Sequence, residues 1–192
     1  MWRWLVFLIG SVPIIWVSRG SLRSRDAHGF YRFFAFEAIL GLIALNAAVW
    51  FRDPFSPRQL ASWALLLTSL LLAVHGFYLL RRVGKPDHSI EDAARLGIEK
   101  TTRLVRSGAY RFIRHPLYAS LLALAWGAFL KAPSWLAVLL VAVATGAVYL
   151  TARVEEQENL RHFGAEYAEY MRETRMFIPF VFYDNSYPER KR

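Results

Sequence analysis

Residues Gln59 to Leu80 read QLASWALLLTSLLLAVHGFYLL, 22 positions without a Lys, Arg, Asp or Glu. A helix needs roughly 17–25 mostly apolar residues to cross a bilayer, and this stretch meets that outright. Four others resemble it. Ala132 to Ala152 is uncharged over 21 residues, His115 to Leu130 over 16, and Trp4 to Ser18 throughout, while Phe33 to Phe51 carries only Glu37. The expectation is an all-α integral membrane protein with five transmembrane helices. A soluble bundle of five such helices would have too little polar surface. Between His115 and Ala152 the single charge is Lys131, in a Lys131-Ala132-Pro133-Ser134 turn. That region reads as a helical hairpin crossing the membrane twice. The first apolar run suits a span better than a signal peptide, because Trp2, Trp4, Pro13 and Trp16 punctuate it and no clean small-x-small cleavage site follows.

The chain has 192 residues, 24 Lys+Arg against 15 Asp+Glu, and a net charge of +9. Such a balance suggests nucleic acid until the charges are located. Nine basic residues fall between Arg81 and Arg114, seven between Arg153 and Arg192, and four between Arg19 and Arg32. Only Arg3, Arg52, Arg58 and Lys131 fall on the other side of the five spans. The positive-inside rule then puts the N-terminus outside, and the 19–32 loop, the 81–114 loop and the C-terminal tail in the cytoplasm. The charge therefore marks a membrane protein, expected in the cell's inner membrane, and not a nucleic-acid binder. Its organisation divides into residues 1–80, with three spans, and residues 81–192, a catalytic part. The latter comprises a cytoplasmic loop, the hairpin 115–152 and a C-terminal amphipathic helix. Leu160, Phe163, Tyr167, Tyr170 and Met171 recur at helical spacing in that last helix. The run from Met176 to Tyr183 reads as a peripheral anchor among the headgroups.

No cysteine is present, so disulfides, thiolate metal sites and a cysteine nucleophile are excluded. The 11 glycines never fall two apart, which removes the Gly-x-Gly dinucleotide fingerprint. No His-Glu-x-x-His occurs and the five histidines are scattered, so no metal is expected. Two poles do stand out on the cytoplasmic side. Arg114 and His115 precede Pro116 at the start of the fourth span, where a helix N-terminus attracts a carboxylate. Glu155 and Glu156 sit beside the bilayer after the fifth span, where adjacent carboxylates are costly unless they meet a cation. The two ends of an amino acid fit such a pair. Glu37 and His75 each lie about five residues inside a span and suit either an interfacial hydrogen bond or a substrate path. Asn46, which is deeper, suits a helix–helix hydrogen bond.

The string Leu104-Val105-x-x-Gly108-x-Tyr110-x-x-x-Arg114-His115-Pro116-x-Tyr118 is followed by a short apolar hairpin. Glu155-Glu156-x-x-x-Leu160-x-x-Phe163-Gly164-x-x-Tyr167-x-x-Tyr170 comes next. Together they resemble the isoprenylcysteine carboxyl methyltransferase family, part of a wider group of membrane phospholipid methyltransferases. The resemblance covers Leu104 to Pro179, roughly 40% of the chain. It implies an S-adenosylmethionine-dependent methyltransferase with a cytoplasmic cofactor site and no Rossmann domain. By carry-over, Leu104, Val105, Tyr110 and the His115-Pro116-Leu117-Tyr118 stretch hold the cofactor. Glu156 takes its α-amino group, with Glu155 in support.

The acceptor implied is amphiphilic or lipid-like, most simply an isoprenylcysteine-like acid methylated on its carboxylate. A carboxylate nucleophile needs a positive clamp rather than a base, and Arg153 or Arg114 is the candidate. Phospholipid amine N-methylation is the alternative, and an amine needs deprotonation. A third reading is a non-catalytic membrane protein that binds anionic lipid or a partner through its basic loops.

Overall fold

The computed structural model describes residues 2–23, 27–84 and 102–179. Among these the chain is helical, with no named strand: α1 (Trp2–Ser18), α2 (His28–Asn46), α3 (Pro57–Arg82), α4 (Pro116–Lys131), α5 (Trp135–Phe163) and α6 (Ala165–Glu173). The middle of the 81–114 loop and the aromatic positions Phe180 to Tyr183 lie outside the described residues.

Local chemistry sets the helix ends. Ser56 caps α3 by accepting from the Gln59 N–H at 3.4 Å, with Pro57 in the first turn, and Arg81 and Arg82 occupy the last turn. Ser134 caps α5 in the same way, accepting from the Ala137 N–H at 3.2 Å. Pro116 opens α4. Only Ala132 to Ser134 separate α4 from α5, so the expected hairpin is present. Its second arm continues into the amphipathic stretch that follows the fifth span. α5 does not stop near Ala152 but runs unbroken to Phe163, 29 residues in all. Gly164, at φ +58°, then turns the chain into α6.

The segment from His28 to Val49, together with α3 and α5, is long and apolar enough to cross a membrane. α1 and α4 are shorter apolar helices of 17 and 16 residues, about 25 Å each at roughly 1.5 Å per residue. α3 packs on α4, α2 on α5, α1 on α2, and α4 on both α5 and α2. Small residues line these seams. Ala35, Ala38, Ala125, Ala128, Ala137, Ala144, Ala147 and Ala152 are buried beside Leu42 and Val148, as expected where backbones approach closely within a bilayer. The outward faces are apolar and exposed, as at Trp4, Leu8, Ile9 and Trp16 on α1 and at Leu67, Leu70, Leu71 and Val74 on α3.

Polar side chains tie the seams. Asn46 Nδ2 donates to the Ala128 carbonyl at 2.8 Å, which is the helix–helix bond expected of it, and Ser62 Oγ donates to the Gly127 carbonyl at 2.7 Å. Lys131, the last residue of α4, is buried. It is 1% exposed, its Nζ donates to Gln59 Oε1 at 3.0 Å, and it lies 3.2 Å from the centre of the Trp63 ring. Glu37 and His75 do not meet. Glu37 Oε2 accepts from Ser11 Oγ at 2.7 Å, and His75 Nε2 accepts from the Ala109 N–H at 3.2 Å.

Candidate functional site

Three segments distant in sequence converge where α4 begins. The chain before α4 runs alongside the chain after α6. Arg114 N–H donates to the Arg175 carbonyl at 2.6 Å, Arg175 N–H to the Phe112 carbonyl at 3.0 Å, and His115 N–H to the Met176 carbonyl at 3.1 Å. Ile113 and Arg175 form an isolated parallel bridge. Met176 and Phe177 consequently pack against Ala35, Tyr118, Ala147, Val148 and Ala152. The start of the expected peripheral anchor is thus a tertiary contact.

The Leu104–Tyr110 segment is held from two sides. On α3, His75 accepts the Ala109 N–H, and Gly108 makes this approach possible. Its φ is +58°, and a Cβ there would lie 2.4 Å from His75 Nε2. On α6, the Tyr170 hydroxyl donates to the Tyr110 carbonyl at 2.6 Å, and the Arg106 guanidinium donates to the Glu166 carbonyl at 2.6 Å. Burial pushes the Tyr170 phenol well above its ordinary pKa. The Tyr167 phenol is raised by burial first and then by the Glu156 and Glu155 carboxylates. Both rings stay neutral at physiological pH.

These segments enclose a cavity of about 80 Å³ that opens to the outside. Leu104, Val105, Tyr110, Arg114, His115, Leu117, Tyr118 and Glu155, expected from sequence, all line it. Tyr118 donates its hydroxyl to Glu155 Oε2, and Glu155 Oε1 lies 4.0 Å from His115 Nδ1. Three expected residues are not on the wall. Pro116 is buried in the first turn of α4. Glu156, 2% exposed, accepts from Arg114 Nε at 2.6 Å. Arg153 is half-buried on α5 and is not among the lining residues. Arg114 is heavily engaged, because its Nη1 also donates to the Met171 and Thr174 carbonyls at 3.1 and 2.6 Å. His115 Nε2 is buried 3.4 Å from Glu156 Oε1 without a well-formed hydrogen bond.

The cavity also takes in residues to which sequence reasoning gave no site role: His28, Leu80, Asn159, Phe163, Tyr167 and Tyr170. The three aromatic residues did carry a signal, since they form the apolar stripe after the fifth span. His28 carried only its position on the basic side of the chain.

The residues match known proteins in part. The family model described as phospholipid methyltransferase matches residues 58–166, more than half of the chain. Methanethiol S-methyltransferase 1 of Bradyrhizobium diazoefficiens is 30% identical over 119 residues, or 62% of this chain. The chain spans about 39% of that relative's length. No solved structure matches.

Proposed function

Since this chain belongs to the phospholipid methyltransferase family, we propose that it is a methyltransferase, as its relative is by name. From that premise we propose an integral-membrane enzyme that uses S-adenosylmethionine to methylate an amphiphilic acceptor at the cytoplasmic face. The observation that carries the reading is one cavity that gathers Leu104, Val105, Tyr110, His115, Leu117, Tyr118 and Glu155.

The residues present fit the cofactor. Phe163, Tyr167 and Tyr170 would hold the adenosyl moiety alongside Leu104 and Val105, with the ligand reaching into the cavity's opening. Glu155, a carboxylate on the wall, would take the ammonium group. The N-terminus of α4, behind Pro116, offers free N–H groups for the carboxylate. Glu156 acts one step back by fixing Arg114. When bound, S-adenosylmethionine supplies an already activated methyl group. The protein's share is then proximity, orientation and exclusion of water.

A groove runs along the outer face of α3, lined by Ala73, Val74, Phe77 and Tyr78, with Arg81 and Arg82 at its end. Leu117 lines both the groove and the cavity. The groove suits a hydrocarbon chain, and its two arginines suit an anionic headgroup, so it offers an acceptor a lateral route. Carboxyl O-methylation would need a cation aimed at the acceptor. Arg114 is committed to Glu156 and two carbonyls, and Arg153 is off the wall. This weighs against an acidic acceptor and towards an amine or a thiol. The relative's name gives methanethiol as its own acceptor.

Calorimetry in detergent with S-adenosylmethionine and with its demethylated product tests the reading, followed by an acceptor screen with labelled methyl groups. Binding of neither would overturn it and leave a lipid-binding role. Orientation is testable because the chain has no cysteine. Phe55→Cys, in the exposed α2–α3 connection, is expected to label from outside intact cells. Arg161→Cys, exposed on the last turn of α5, is expected to label only from the cytoplasmic face.

A further inference from the structure

His28 opens α2 and is 1% exposed, yet it lies on the cavity wall. Its Nδ1 is 2.8 Å from Glu158 Oε2 of α5, and its backbone N–H donates to Glu158 Oε1 at 3.3 Å. An ionised carboxylate can only accept. The Nδ1 atom therefore carries the proton, and in the neutral ring Nε2 keeps the lone pair. A histidine held in one tautomer by a carboxylate, on the wall of a reaction cavity, is the arrangement of a general base. Residue 28 also falls outside the 58–166 stretch that the family model matches. Only His28 of the pair lies outside that stretch, since Glu158 falls within it.

We infer that His28 is the base that deprotonates the methyl acceptor, that Glu158 positions it, and that the acceptor is a protic nucleophile, a thiol or an amine. The inference rests on the methyltransferase reading above. The acceptor's S–H or ammonium N–H bond breaks and its proton passes to Nε2. The electron pair of that bond stays on the acceptor atom, where it becomes available to take the methyl group. The imidazolium is stabilised by Glu158 and returns the proton to water after the methylated product leaves. A carboxylate, already ionised at neutral pH, would have no use for such a base.

The test uses the full chain in detergent with three acceptors: decanethiol, decylamine and 4-nitrothiophenol, the last already ionised at neutral pH. His28→Gln is expected to lose about 100-fold or more in kcat on whichever of decanethiol or decylamine the wild type methylates, within the range roughly 100 to 10,000-fold typical of a lost base. Its rate on 4-nitrothiophenol should fall less than tenfold, with cofactor affinity unchanged. Glu158→Gln should shift the acid limb of the pH profile, whereas a purely structural contact would lower the rate at every pH alike. Without cofactor, wild type mixed with decanethiol should show more ultraviolet thiolate absorbance than His28→Gln, whereas 4-nitrothiophenol should show no difference.

Equal losses on the neutral and the ionised acceptor would overturn the inference, as would methylation of fatty carboxylates alone. If His28→Gln does not fold, His28→Asn and the Glu158→Gln pH profile carry the test. A wild type that binds no cofactor would instead overturn the methyltransferase reading itself.

Discussion

Arg114 lines the cavity while its partner Glu156 does not, and the two are joined by a 2.6 Å bond between side chains 4% and 2% exposed. The guanidinium is thus held from behind, by Glu156 and by the Met171 and Thr174 carbonyls. Breaking a buried pair from one side strands a charge and costs about 3–5 kcal/mol. Glu156→Gln and Arg114→Met should each show a loss of that order in denaturant unfolding in micelles. The double change Arg114→Met with Glu156→Leu should cost less than the sum of the singles. Additive losses would mean that the pair is not coupled.

Tyr118 and Glu155 form the carboxylate edge of the cavity. Tyr118→Phe removes one hydrogen bond to a charged group, worth roughly 1.5–3 kcal/mol. The unfolding free energy should fall by an amount of that order, and affinity for S-adenosylmethionine by calorimetry should drop as well, because Glu155 is no longer held at the cavity edge. Glu155→Gln should weaken the cofactor at least as much. Unchanged affinity in both would remove Glu155 from the cofactor site.

Gly108 is the hinge of the wall that faces α3. Alanine there must adopt φ +58°, at a cost of about 1–2 kcal/mol, and its Cβ would collide with His75 Nε2 and with Leu79 Cδ1 at 2.7 Å. Gly108→Ala should therefore lower both stability and cofactor affinity, because Val105 and Tyr110 are displaced together. His75→Ala should restore part of the loss. A Gly108→Ala protein with wild-type affinity would show that this wall does not touch the cofactor.

Tyr170 gives a pH dependence of definite sign. Burial raises its folded-state pKa above the ordinary tyrosine value of 10.0. Stability from the neutral phenol is therefore complete below about 10 and is lost as pH rises through the folded value, because only the unfolded chain has released the proton. Unfolding temperature should stay flat through neutral pH and fall above about 10, and Tyr170→Phe should fall less steeply. An equal fall in the variant would assign the loss to other groups.

Much of this was legible because the bilayer imposes simple demands. Uncharged runs of fixed length announced helices, Pro116 marked the start of α4, and Lys131 marked the hairpin. Eight candidate site residues share a wall because the spacing from Leu104 to Tyr118 and from Glu155 to Tyr170 brings two helix ends together. What stayed hidden depends on partners far away in sequence. Nothing local says that Glu156 turns inward to Arg114 while Glu155 faces the cavity, since adjacent helical positions differ by about 100° and the direction of the core was unknown. His28 meets Glu158 across 130 residues. Nothing in the Lys131-Ala132-Pro133-Ser134 turn told that Lys131 is buried against Trp63 and Gln59, because those partners lie about 70 residues away.

The bridge between Ile113 and Arg175 has a consequence for how the protein comes into being. The apolar helices can enter the membrane one by one as they leave the ribosome, but the cavity needs Arg175 and Met176 to pair with the strand-like approach to α4. A nascent chain halted after Phe163 would carry all five apolar helices, Glu155 and Glu156, yet lack the Met171, Thr174, Arg175 and Met176 carbonyls that complete the hold on Arg114 and His115. On the proposed function, completion of the site would therefore follow insertion of the helices, because it waits for Arg175 and Met176 to be translated.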